Sequence, residues 1–344
     1  MLVRLVARTC RLAPWFAVAV AAVSCGSTPT APTPAGPRPS TPPPVAAPAI
    51  TCPVVPGTAT LSSAGAVVSF ATPVADGGQA PVTVACSPAS GSLFPIGGTN
   101  VSCVATDQLN RVASCSFSVA VTRTPQLART RFLAFGDSIT EGEVVAPVTG
   151  ITPQGDAPSH RFVIVPSAAY PFVLQTLLAT HYPPQAATVV NAGRSGEGAA
   201  DATTLPRFIE AVNTHRPDVV LILTGYNDLL GLGPSGVNAS GALAAVNALA
   251  AEARGRNARV FIGTVTPNRP GLRRSIPTSV LQSFNERLLS VARGEGAVLV
   301  DLYAALAADV TTYIGADGLH PTEDGYRRMA EAFFAAIRRD LELP

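Results

Sequence analysis

Ser138 stands in Phe135-Gly136-Asp137-Ser138-Ile139-Thr140, where small residues follow at once on an apolar run that begins at Phe132. A free serine hydroxyl is a poor nucleophile. It needs a base within hydrogen-bond reach and donors for the oxyanion that forms on an attacked carbonyl. With 4 histidines in the chain, the search for that base is short. His181 and His215 each fall just after an expected helix, where a cation complements the helix dipole and a structural role suffices. His160 lies in a polar loop containing Pro and Gly, with contact to substrate as its functional reading. His320 differs, because in Asp317-Gly318-Leu319-His320-Pro321 a carboxylate precedes the imidazole by three positions. That carboxylate can reach one ring nitrogen, fix the tautomer and leave the other nitrogen free to take a proton from a serine. Taken alone, Asp-x-x-His is common and often only a cap.

Two further stretches offer donors. Asn191-Ala192-Gly193-Arg194-Ser195-Gly196-Glu197 and Gly225-Tyr226-Asn227-Asp228 each follow an apolar run. Glycine lets backbone approach a reacting atom closely, and the Asn227 carboxamide can point at the same oxygen. Asn227-Asp228 can also serve merely as a cap. Gly193-x-x-Gly196-x-Gly198 is a reversed and poor match to a dinucleotide loop. Ser195 is the rival nucleophile, and no Gly-x-Ser-x-Gly elbow occurs.

The elements that must position these residues alternate. Short apolar runs at Phe132 to Phe135, Thr188 to Val190, Val219 to Leu223, Val260 to Gly263 and Val298 to Val300 read as strands buried on both faces. Between them, Tyr170 to Thr180, Leu205 to Thr214, Ala239 to Arg254 and Val280 to Arg293 read as helices, with a last one from Glu323 to Leu341. Alternation of this kind implies an α/β domain, a parallel sheet with helices on both faces, whose ligands bind beyond the carboxyl ends of the strands.

Serine after the first strand, glycine after the second, asparagine after the third and Asp-x-x-His near the end together resemble the four blocks of the GDSL, or SGNH, hydrolase family, over residues 131 to about 340. The resemblance implies a flavodoxin-like three-layer sandwich with a five-stranded parallel sheet, serine esterase chemistry, no metal and no cofactor. Carried over by motif position, Ser138 is the nucleophile, His320 its base and later acid, and Asp317 the residue that orients it. The oxyanion donors are the N–H groups of Ser138 and Gly196 and the side chain of Asn227. Asp137 braces the turn. One departure is the long stretch from Glu143 to Ala168, with Asp156 and His160, which reads as a loop without structure of its own that borders the acyl or alcohol pocket.

The rest of the chain concerns delivery. Arg4, Arg8 and Arg11 precede an apolar run from Leu12 to Val23, too short to span a bilayer, so residues 1–24 read as an export signal. Ala22-Val23-Ser24-Cys25 resembles a bacterial lipobox, which implies a lipid anchor on Cys25 at the cell envelope; plain secretion after Ala19-Val20-Ala21 is the alternative. Residues 25–49 are rich in Pro, Thr and Ala and read as an extended spacer. From 50 to 123, β-rich runs alternate with turn signals such as Asp76-Gly77-Gly78, as in a small all-β sandwich ahead of a hydrolase domain at 130–344. Cys52, Cys86, Cys103 and Cys115 can form two disulfides in three pairings. Residues 86–121 resemble a hyalin repeat, an immunoglobulin-like extracellular module, and that resemblance implies Cys86 with Cys103 and Cys52 with Cys115. It suggests adhesion or positioning.

Only 13% of residues are charged and the net charge is +2, so nothing electrostatic argues for nucleic acid as partner. The function expected is an exported serine esterase that acts through an acyl-enzyme on short-chain or acetyl esters, including those of carbohydrates or polysaccharide. A lysophospholipase or lipid esterase, and a catalytically inactive surface adhesion protein, are the alternatives.

Overall fold

The structure, a computed structural model, describes residues 43–147, 160–231, 237–272 and 274–344. The expected export signal, Cys25 with its lipobox, most of the spacer and Asp156 lie outside these residues.

The N-terminal domain is built from β1 (Ala49–Thr51), β2 (Thr58–Thr60), β3 (Ala66–Val68), β4 (Val74–Asp76), β5 (Thr83–Ser87), β6 (Ser92–Phe94), β7 (Gly97–Thr106) and β8 (Val112–Arg123). The strands order as β2-β8-β7-β5, with the pairs β3-β6 and β1-β4 beside them. Along β7 the burial alternates so that Val101, Cys103 and Ala105 face inward, the period of two that a half-buried sheet requires. Disulfides join Cys52 to Cys115 and Cys86 to Cys103, as the hyalin resemblance implies. The end of the expected spacer is part of this domain. Arg111 donates to the carbonyl oxygens of Val45 and Ala46 at 3.0 and 3.2 Å, and its guanidinium is itself held by the buried Asp107.

The α/β domain contains β9 (Arg131–Gly136), β12 (Thr188–Gly193), β13 (Val219–Leu223), β14 (Arg259–Gly263) and β15 (Val298–Val300), all parallel in the order β12-β9-β13-β14-β15. That order is the flavodoxin-like one, with its switch point beside the first strand. Every residue of β13 is buried, as its unbroken Val and Leu/Ile run demands at the centre of a two-sided sheet. The main helices are α2 (Tyr170–His181), α3 (Thr204–His215), α5 (Ala239–Gly255), α6 (Thr278–Gly294) and α9 (Glu323–Leu341), the last preceded by the short α7 (Leu302–Ala307) and α8 (Val310–Tyr313). In α9 the buried side chains Tyr326, Met329, Ala330, Phe333, Ala336 and Ile337 recur at helical spacing. Thr322 caps its start by accepting from Gly325 N–H, and Arg338 and Arg339 occupy the last turn, where the dipole favours cations.

The stretch after Glu143 differs from the expectation of an unstructured loop. Its two ends, β10 (Glu143–Pro147) and β11 (His160–Ile164), pair antiparallel with Val145 opposite Phe162. Val144 and Val145 on one arm and Phe162, Val163 and Ile164 on the other suit a pleated surface, and Val144 packs on the domain core. The connector between the domains is fastened to the second: Leu127 is buried, its N–H and C=O bond the Gln185 side chain at 2.6 and 2.8 Å, and Leu343 N–H bonds the carbonyl of Gln126 at 2.8 Å.

Candidate active site

The carboxyl ends of β9, β12 and β13 converge on Ser138. Gly136 closes β9 where a Cβ would collide with the Leu223 carbonyl oxygen, so only glycine lets the two strands end side by side. Asp137 then caps the short α1 (Ser138–Glu141), its Oδ1 accepting from Ile139 N–H at 3.0 Å. Ser138 is therefore held at the start of a tight turn, 5% exposed. Asp137 does brace that turn, and burial pushes its carboxyl up to about 7, against the opposing pull of the Ile139 N–H and of His320.

The Asp317–His320 segment arrives ahead of α9. Asp317 Oδ1 accepts from the N–H groups of Leu319 and His320 at 3.1 and 3.0 Å, which folds the segment into a turn, while Oδ2 lies 2.7 Å from His320 Nδ1. Burial alone would raise this carboxyl; the hydrogen bond and charge of His320, with the two N–H groups, hold it below the usual carboxylate range. An ionised carboxylate only accepts, so Nδ1 carries the proton and Nε2 is left as the acceptor for Ser138 Oγ, 2.9 Å away. The imidazole is fully buried, with the Phe162 ring of β11 5.4 Å away and the Arg274 guanidinium 4.4 Å above that phenyl ring.

The other two segments hold the residues expected as donors. Gly196 has φ +79° and open space where a Cβ would stand, so the backbone presents itself unshielded. Asn227, the second residue of α4 (Tyr226–Leu230), is buried and donates one amide hydrogen to the Glu197 carbonyl at 3.0 Å, which leaves its other hydrogen free of that bond. Beside it Asp228, raised by burial, accepts from the N–H groups of Ala199 and Ala200 at 2.7 and 3.0 Å. Glu197 pairs with Arg207, whose guanidinium lies 4.0 Å from the Phe135 ring. The loops after β12 and β13 are thus tied to each other beside the serine.

Sequence order alone separates these residues by up to 182 positions between Ser138 and His320, and the fold brings them into one hydrogen-bonded chain. Ser195 does not share the imidazole. Its hydroxyl donates to Glu143 Oε2 at 2.7 Å, which disfavours it as a nucleophile. His181 and His215 close α2 and α3, and His181 sits against the rings of Tyr182 and Phe334. Of His160 only the backbone pairing with Pro147 is described. Sequence reasoning assigned no role to Glu141, Glu143, Phe162 or Arg274. The two acidic residues flanking Gly142, directly after the serine turn, were the one local signal available.

Chemically, the chain Asp317–His320–Ser138 can move a proton from Oγ to Nε2 while a carboxylate faces the imidazolium that results. The GDSL-like Lipase/Acylhydrolase family matches residues 134–328, and the HYR domain matches residues 43–121. Among solved structures, the chain is similar to LAE5, an alpha/beta hydrolase enzyme from the metagenome of Lake Arreo, Spain, at 24% identity and TM-score 0.48, covering 62% of this chain and 96% of that one. It is similar to Axe2, an acetylxylan esterase from Geobacillus stearothermophilus, at 21% identity and TM-score 0.47, covering 60% and 94%. It is also similar to the lipase/acylhydrolase from Enterococcus faecalis, at 21% identity and TM-score 0.48, covering 62% and 97%. No curated protein sequence matches it. Since the family match takes in more than half of the chain, around the very turn that holds Ser138, this protein belongs to the GDSL-like lipase/acylhydrolase family and carries a HYR domain ahead of it.

Proposed function

We propose that the protein is an exported serine esterase that hydrolyses short-chain or acetyl esters, including those of carbohydrates, through an acyl-enzyme. The observation that carries this reading is the relay in which Ser138 Oγ lies 2.9 Å from Nε2 of His320 and Asp317 lies 2.7 Å from Nδ1. In the reaction, His320 takes the proton of Ser138 as Oγ bonds to the acyl carbon; the tetrahedral intermediate collapses as the same proton passes to the departing alcohol. Water then repeats the sequence, and the carboxylic acid leaves. The N–H groups of Ser138 and Gly196 and the Asn227 amide hold the oxyanion, each such donor being worth about 100- to 1,000-fold in kcat.

A small acyl group is favoured because Ser138 is 5% exposed and the imidazole is walled by Phe162. Export is supported by the two disulfides, which persist in oxidising compartments. Cys25 carries the lipid anchor in this reading, and Cys25→Ala should move the protein from the membrane fraction to the soluble one. Ser138→Ala should abolish hydrolysis of 4-nitrophenyl acetate and labelling by a fluorophosphonate. Turnover near the parental level in that variant refutes the assignment, and failure of the parent chain to label favours an inactive adhesion protein. Rates across acetyl, butyryl and long-chain esters and acetylated xylan separate carbohydrate from lipid substrates.

A further inference from the structure

Glu143 has no part in the relay, yet its carboxylate is buried at the relay's edge. Oε1 lies 3.6 Å from His320 Nε2, Oε2 accepts the Ser195 hydroxyl at 2.7 Å, and its carbonyl oxygen accepts from Tyr326 Oη at 2.7 Å. The next residue after Ser195 is Gly196, which presents its backbone to open space. A glycine with no side chain to wedge it is the costliest residue to hold in one conformation, so its flanks must do the holding. Downstream, the Glu197 carbonyl is held by Asn227 at 3.0 Å. Upstream, Arg194 N–H bonds the Gly136 carbonyl at 3.0 Å, and the ties of Ser195 itself are both acidic: Glu141 Oε2 accepts from its N–H at 2.6 Å and Glu143 accepts from its hydroxyl. The same carboxylate stands 3.6 Å from Nε2 without a hydrogen bond to it, since Nε2 has no proton in the resting relay, so Glu143 holds the glycine loop beside the base without bonding the base itself.

We propose that Glu143 and Ser195 are a positioning pair for the oxyanion hole, with the carboxylate locking the Ser195 hydroxyl and so the Gly196 N–H beside Ser138 and His320. The assignment rests on the esterase reading above, in which Gly196 is a donor. A donor aimed at the oxyanion acts mainly in the transition state, so its misplacement lowers kcat and leaves ground-state binding alone.

Ser195 is exposed, so its replacement leaves the core intact. Ser195→Ala should lower kcat about 10-fold with KM within about twofold of the parent, and weaken a transition-state-like boronic acid by the same factor. Ser195→Thr, which keeps the hydroxyl, should restore kcat. Glu143→Ala should lower kcat at least as far, and adding Ser195→Ala to it should cost nothing more, since the two remove one interaction. Melting temperatures of the Ser195 variants should match the parent. Parental kcat in Ser195→Ala, a loss that appears in KM, no rescue by threonine, or losses that multiply in the double variant each overturn the pair. If Ser138→Ala is dead while Ser195→Ala is unchanged, this assignment alone fails; if Ser138→Ala keeps its turnover, the esterase reading fails and takes the pair with it.

Discussion

The two domains hold themselves together at different scales. The sandwich gathers its core around Val68, Phe94, Val101, Cys103, Val119 and Val121, and it adds two covalent cross-links. The α/β domain packs both faces of a five-stranded sheet and contains no cysteine. Burial grows with domain size, so the smaller body is the one that needs stapling. The larger body can tolerate what a small core cannot. It buries Asp137, Glu197, Asn227, Asp228 and His320 in one place, each a cost that its hydrogen bonds and ion pairs offset in part and the larger core covers. Chemistry is found where there is stability to spare.

This contrast can be broken in graded ways. The largest effect expected is on catalysis: His320→Ala should cut kcat about a million-fold, while limited proteolysis of the sandwich stays unchanged. Reduction should do the reverse, opening the sandwich to protease and leaving ester turnover in place. Between the cross-links, the longer loop should matter more. Closing 63 residues, Cys52–Cys115 is expected to contribute about 4 kcal/mol in urea unfolding of the first transition. Cys86–Cys103, closing 17, should contribute about 3 kcal/mol. A reduced sandwich that unfolds no more easily than the oxidised one would erase the comparison.

The smallest effect belongs to Asp137. Its folded value is raised from 3.8 to about 7, mainly by burial, so between those values the folded chain holds a proton that the unfolded chain has lost. Stability is then full on the acid side and falls as pH rises across that window. Asp137→Asn keeps an oxygen for the Ile139 N–H and removes the charge. It should gain roughly 2 kcal/mol over the parent at pH 8, relaxation and water entry offsetting the rest of the burial cost, and little at pH 4. Equal stability of the two proteins at pH 8 would mean that Asp137 is not desolvated. The opposite sign applies to Asp317, held low by His320: its contribution is present above the ordinary carboxylate value and lost below it.

What could be read from the sequence was whatever local pattern decides. The all-apolar run of β13 can only be a central strand, and α9 announces its bounds through Thr322 and its repeating apolar stripe. The serine turn and the Asp317–His320 spacing were legible because their own neighbours shape them. The Glu143 hairpin was not, since its partner strand begins beyond a long Pro- and Gly-containing interval and neither arm is strongly apolar on one face. Nor was the role of Val45 and Ala46, whose hydrogen bonds come from an arginine 65 or more residues away. Glu143 itself needed coordinates: nothing in the order of residues says that a carboxylate five places after the serine turns back toward it.

The fastening of the connector bears on how this enzyme can be cut. Leu127 is a plug in the second domain, seated between Gln185 and the strand-like end of the chain at Glu342. A fragment meant to isolate the hydrolase should therefore start upstream of Gln126; one that starts at Thr130 would leave an apolar socket open and the C-terminal tail without its mate.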